Sequence, residues 1–140
     1  MEKNVKVVFS AQNCVELWED NIPEIKDDEV LIKTEVSQIS TGTELTRLEA
    51  NVDKDSIWWT KDFNYPIFPG YSNVGKIVKV GAKWADQFKA GDKFVIQPAI
   101  NYKGSLASPG YSYKYCGGAA TYVIIPEEVM LCNCLLPYDG

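Results

Sequence analysis

The chain of 140 residues contains no histidine. That absence excludes Ser-His-Asp and Cys-His nucleophilic machinery, a histidine general base and every metal site built on imidazole. Positive charge is also scarce: 14 Lys and Arg stand against 19 Asp and Glu, for a net charge of −5. With no basic cluster to neutralise phosphates, nucleic acid is not expected as a partner. Long apolar runs are missing too. Stretches such as Tyr122–Ile125 fall far below membrane-spanning length, so no membrane association is expected. The N-terminal MEKNVKVVFS lacks the apolar core of a secretory signal, and the default location is the cytoplasm. Four cysteines, at 14, 116, 132 and 134, are too few and too scattered for a disulfide framework. Cys132 and Cys134 would share one face of an extended strand, yet two thiolates do not complete a zinc site, so the cysteines read as reduced packing residues.

What remains is ordinary globular composition, 46% hydrophobic and 24% charged, in a length that suits one domain with its own core. Most of it reads as short strands between turn signals. Val5–Phe9 and Cys14–Trp18 flank a hairpin-like connection at Ser10–Asn13, and Asn21–Asp28 is a polar loop. Glu29–Ser37 alternates, with Val30, Ile32, Thr34 and Val36 on one face and Leu31, Lys33, Glu35 and Ser37 on the other. Thr41–Ala50 reads as a short helix, with Thr41 or Thr43 as N-cap and Glu44 in its first turn. Asn51–Asn64 is an irregular loop whose Trp58, Trp59 and Phe63 either pack over the core or cover a ligand cleft.

The segment Tyr65–Gly81, YPIFPGYSNVGKIVKVG, is the densest in information. Pro66, Pro69 and Gly70 set a bend, and Asn73–Val80 follows as a strand broken at Gly75 and ended by Gly81. Lys93–Gln97 and Ala119–Ile125 are further strands, on either side of a tyrosine- and glycine-rich loop at Pro98–Gly118. Pro126–Met130 reads as a turn into a last extended piece, Leu131–Leu136. Many short strands with few helices indicate a mainly β barrel or sandwich.

Four segments, in order, resemble the N-terminal catalytic domain of the medium-chain dehydrogenases/reductases, the alcohol-dehydrogenase-like superfamily. They are DDEVLIKTEVSQIS with TGTEL, the proline–glycine bend with its strand, FKAGDKFVIQP, and GGAATYVIIPEE. The resemblance covers roughly Val5 to Pro137. It implies a GroES-like, partly open β-barrel with one or two short helices, spanning residues 1–140. It also implies NAD(P)-linked hydride transfer to or from a carbonyl, alcohol or activated alkene of a small-molecule substrate. NAD(P) would be held mainly by a Rossmann domain absent from this chain, because Gly117-Gly118 precedes a strand rather than a helix. By itself the chain is not expected to be active; a homodimer is compatible with this reading.

Where zinc-dependent members of that superfamily place a cysteine ligand, this sequence has Thr41; where they place a histidine and then an acidic residue, it has Tyr71 and Ser72. The loop that carries four clustered cysteines for their structural zinc has one here, Cys116. The resemblance is therefore to the branch lacking zinc ligands, which includes bacteriochlorophyllide-type dehydrogenases, with zinc-independent quinone and enoyl reductases as neighbours. Carried over by position, Thr41, Thr43, Tyr71 and Ser72 would line the substrate cleft. Thr43 would relay a proton from the substrate hydroxyl, and Tyr71 would donate one to a developing alkoxide or enolate. Beside these roles, the threonines serve equally as helix caps and Tyr71 as filler of the space left by a metal. A rival class is a non-enzymatic binding or assembly module on the same GroES-like barrel.

Overall fold

A computed structural model describes residues 2–38, 45, 48–50, 65–66, 69–70, 72–96, 119–125, 127–131 and 135–137; for residues 38, 72, 128 and 129 it describes the backbone alone. The first two strands, β1 (Asn4–Ala11) and β2 (Cys14–Asp20), form an antiparallel hairpin. Its turn is made by Gln12 and Asn13, the latter at φ 58°, a left-handed conformation that asparagine tolerates better than most residues. Five more strands form a second sheet: β3 (Val30–Gln38), β4 (Ser72–Val80), β5 (Lys93–Ile96), β6 (Tyr122–Ile125) and β7 (Leu135–Pro137), in the order β6-β3-β4-β5-β7. Every neighbour in it is antiparallel.

The two sheets are stitched together just before β6. Val7 N–H donates to the Ala119 carbonyl (3.0 Å) and Thr121 N–H to the Val5 carbonyl (2.9 Å). The described strands do not close into a barrel, and the architecture is the mainly β, partly open one expected.

The core lies on one face of the large sheet. Val30, Ile32, Ile77, Phe94, Ile96, Val123 and Ile125 are almost completely withdrawn from solvent there. Their β-branched and aromatic side chains suit a pleated, packed surface. Trp84, from the 3-10 turn Ala82–Trp84, and Met130, from the helix Glu127–Leu131, complete the cluster. The Trp84 indole N–H donates to the Asp28 carbonyl at 2.8 Å, so its polar edge is satisfied inside an otherwise apolar contact.

Four local expectations need correction. Val36 is 65% exposed although its alternation placed it with Ile32, while Leu31 is buried. The register shift between Thr34 and Val36 explains the exposure of Val36, since the extra residue Glu35 resets which side of β3 faces inward; the shift between Leu31 and Ile32 places its extra residue, Val78, in β4. β4 runs unbroken through Gly75, and the irregularity beside that glycine lies in its partner β3. Residues 127–131 are helical rather than a turn, because burying Met130 needs one helical revolution there. Cys14 is exposed rather than packed, its sulfur accepting a hydrogen bond from the Ser10 hydroxyl at 3.2 Å. The remaining cysteines and the Trp58, Trp59 and Phe63 loop lie outside the described residues.

An ionic clasp ties the N-terminus to the large sheet. One Glu2 carboxylate oxygen accepts from Lys33 Nζ at 2.7 Å and the other from the Tyr122 hydroxyl at 2.6 Å. The Lys33 hydrogen bond, then the Tyr122 one, holds the Glu2 carboxyl below its ordinary range, while Lys33 and Tyr122 are both pushed up by Glu2. A depressed carboxyl stabilises the fold above its unfolded-state pKa, and that contribution disappears as pH falls through the folded-state value. The raised Lys33 and Tyr122 act in the opposite sense: their contribution is present below their unfolded pKa values and lost at strongly alkaline pH. Glu2→Gln is therefore expected to lower the melting temperature slightly at neutral pH and to be indistinguishable from the parent chain once the carboxylate is protonated. Thermal melts of both chains between neutral and acid pH check this.

Candidate functional site

The proline–glycine bend is built as its sequence demands. The Tyr65–Pro66 peptide is cis, and Gly70 has φ 99°, a region that strains any residue with a Cβ. Pro69 and Gly70 are buried, and the Pro69 carbonyl accepts the Ala119 N–H at 3.2 Å. The bend is thereby fastened to the chain entering β6. At its start the Tyr65 ring packs with Phe9, Val7 and Leu48. Its hydroxyl donates to the Leu48 carbonyl at 3.4 Å, and burial pushes its pKa up, so it stays a protonated donor at neutral pH.

The segment expected to be helical is helical at Leu45, Leu48 and Glu49, and Ala50 ends it at φ 53°. Its last carbonyls are claimed by the tip of the first hairpin. Asn13 N–H donates to the Leu48 carbonyl at 2.7 Å, and Gln12 Nε2 to the Glu49 carbonyl at 2.8 Å. Groups that a helix end leaves without intrahelical partners are satisfied by tertiary contact.

Of the four predicted site residues, Thr41, Thr43 and Tyr71 lie outside the described residues. Ser72 opens β4, where its backbone pairs with Gln38, the last residue of β3. Chain leading from β3 toward Thr41 and chain arriving at β4 from Tyr71 therefore leave the large sheet at the same end and on adjacent strands. The next pair is Ser37 with Asn73. Asn73 is 1% exposed and donates from Nδ2 to Thr34 Oγ1 at 2.7 Å, tying β4 to β3 one residue beyond Ser72. The sequence reading overlooked Asn73; its only signal was a polar residue at the inward parity shared with Gly75 and Ile77.

Among the described residues no group of three or more histidine, cysteine, aspartate or glutamate side chains could hold a metal ion. No glycine-rich strand-to-helix turn of the dinucleotide-binding kind occurs among them either; the helix Glu127–Leu131, five residues long, follows β6 without one. No described helix is long and apolar enough to cross a membrane.

Known proteins of similar sequence include dehydrogenases and a reductase. The chain is 36% identical over 148 residues to a mannitol-1-phosphate 5-dehydrogenase of Aliivibrio fischeri, covering 100% of this chain and 32% of that protein. It is 35% identical over 120 residues to an L-sorbose 1-phosphate reductase of Klebsiella pneumoniae, covering 85% of this chain and 28% of that one. The chain thus spans about a third or less of the relatives it matches. A dehydrogenase of Sinorhizobium meliloti, assigned as zinc-binding and solved bound to NADP, superimposes with a TM-score of 0.75 at 18% identity, over 99% of this chain and 39% of that one. At that identity the likeness concerns the fold. Residues 26–134 match the alcohol dehydrogenase GroES-like domain, and the chain belongs to that family.

Proposed function

We propose that the chain is the substrate-side domain of an NAD(P)-linked oxidoreductase that interconverts a hydroxyl and a carbonyl on a small phosphorylated polyol or ketose without zinc. The observation that carries the reading is the Gln38–Ser72 pair, which brings the chain ends flanking both predicted site segments to one end of the sheet. The names of the two sequence relatives, a mannitol-1-phosphate dehydrogenase and an L-sorbose 1-phosphate reductase, support the substrate class. NAD(P) supplies the hydride chemistry and is held by a Rossmann domain acting with this one, since the described residues offer no nucleotide cradle.

The donor set argues against zinc. The chain has no histidine, and Thr41 and Tyr71 present neutral hydroxyls, which suit zinc far less than thiolate or imidazole. Cys14, the cysteine among the described residues, lies in β2 outside the bend. Charge developing on the substrate oxygen then falls to hydroxyl donors. In this reading Thr43 passes the substrate hydroxyl proton toward solvent, Tyr71 hydrogen-bonds the oxygen as its charge grows, and Thr41 and Ser72 orient the carbinol.

Two measurements on the complete encoded polypeptide test this. Metal analysis of purified, active protein is expected to find less than stoichiometric zinc; one zinc per chain overturns the zinc-free reading. Tyr71→Phe is expected to lower kcat about 100-fold with KM little changed, as for loss of one donor aimed at a developing oxyanion. Equal kcat in the two proteins removes Tyr71 from the mechanism.

A further inference from the structure

β3 and β4 have a simpler register open to them, one without the bulge at Glu35. Continued straight on from the Thr34–Gly75 pair, it sets Glu35 opposite Val74, Val36 opposite Asn73 and Ser37 opposite Ser72. Val36 then joins Ile32 and Thr34 on the face toward the core, where strict alternation places it. More apolar surface leaves water that way. The protein adopts the other register: Val36 pairs with Val74 and stays exposed, and Gln38 reaches Ser72. Gly75 permits this, having no Cβ to meet the Glu35 nitrogen. It pairs with Thr34 in both registers, however, and does not choose between them.

The registers differ in what faces Asn73. In the observed one Ser37 stands opposite, and the buried amide donates from Nδ2 to Thr34 Oγ1 at 2.7 Å, across the bulge. In the straight one the branched Val36 side chain comes directly opposite Asn73, on the path to Thr34. Leaving a buried amide without a hydrogen-bond partner costs more than the bond itself contributes. Thr34 is a firm anchor for that bond. Its backbone N–H donates to the Thr121 carbonyl at 2.8 Å, and the Thr121 N–H holds the Val5 carbonyl of the small sheet at 2.9 Å.

We propose that Asn73 is a positioning residue, whose hydrogen bond to Thr34 selects the bulged register and so sets where the two site segments meet. Its bearing on the reaction rests on the function proposed above. A slip of one residue moves β3 about 3.4 Å along β4 and exchanges its faces. Ser37 would then close on Ser72, and the chain running toward Thr41 and Thr43 would start one residue out of place. A misplacement of about 1 Å is enough to cost a reaction about 100-fold. Fixing register is the best attested use of a buried polar group, and bulges beside active sites re-aim side chains.

Disulfide trapping on the complete encoded polypeptide reads the register without turnover, because residues directly opposite bring their Cβ atoms within bridging distance. Val36→Cys with Val74→Cys is expected to cross-link, and Glu35→Cys with Val74→Cys to do so about tenfold less, by mass spectrometry of the digested chain. Adding Asn73→Leu, or Thr34→Val at the other end of the bond, should raise the cross-link between positions 35 and 74 about tenfold. Thr34→Ser, which keeps the hydroxyl, should leave it low. Without the added cysteines, Asn73→Leu is expected to lower kcat about tenfold with KM little changed, and Thr34→Ser to keep the parent kcat. A cross-link pattern unmoved by both Asn73→Leu and Thr34→Val overturns the register assignment. A pattern that shifts while kcat holds overturns the part of Asn73 in positioning the site. A parent protein without oxidoreductase activity overturns the function proposed above, while trapping still decides the register.

Discussion

Replacing Gly75 by alanine is expected to remove about 3 to 5 kcal/mol of folding free energy, a large share of what a domain of this size possesses. Gly75 sits in the middle strand of the large sheet, opposite Thr34 on one side and Phe94 on the other. The bulge between Thr34 and Val36 lowers the β3 backbone onto it, so a Cβ there would run into the Lys33 carbonyl oxygen and stand 3.0 Å from the Glu35 nitrogen. Neither neighbour is the yielding tip of a side chain; both are backbone in a paired strand. Relief would require β3 and β4 to part. Urea unfolding followed by tryptophan fluorescence checks this. A loss below ~1 kcal/mol would mean that the bulge adapts freely.

Phe94→Ala is expected to cost a similar amount, roughly 3 to 5 kcal/mol, for a different reason. The ring is 1% exposed within the core cluster that includes Ile32, Ile77, Ile96 and Val123. It stands in the row that Gly75 leaves without a side chain, between that glycine and Pro137. Truncation therefore opens a cavity beside a position that cannot fill it. Phe94→Leu, which keeps most of the volume, should lose distinctly less. The two sites touch through one cross-strand pair, yet Phe94→Ala should not rescue Gly75→Ala, because the added methyl collides with β3 backbone and not with the ring. Unfolding of both single variants and the double variant checks this.

The contrast between these two positions shows what the sequence could convey. Alternation marked β3, and short apolar runs between turn signals marked β4, β6 and the two strands of the first hairpin, because side-chain parity and turn chemistry are local properties. The bulge of β3 at Glu35 is not local: it arises where β3 must match β4 beside Gly75, and only the paired backbone reveals it. Hence the misplacement of Val36. The helix at Glu127–Leu131 escaped for a related reason, since five residues are too few for a periodic signal and burial of Met130 decides the conformation. For the candidate site, motif order disclosed the family and the bend, and the strand pairing supplies the neighbourhood of Gln38 and Ser72. The roles of Thr41, Thr43 and Tyr71 rest on the proposal and its kinetic test.

One contact at the tip of the first hairpin bears on how the site segment is watched. An amide in a two-residue turn ordinarily meets water and trades its proton rapidly. That of Asn13 is held instead by the Leu48 carbonyl, at the far end of the helical residues that follow Thr41 and Thr43. Each parting of the hairpin tip from Leu48 frees this single proton to exchange. One resonance at the rim of the small sheet thus becomes a clock for that contact.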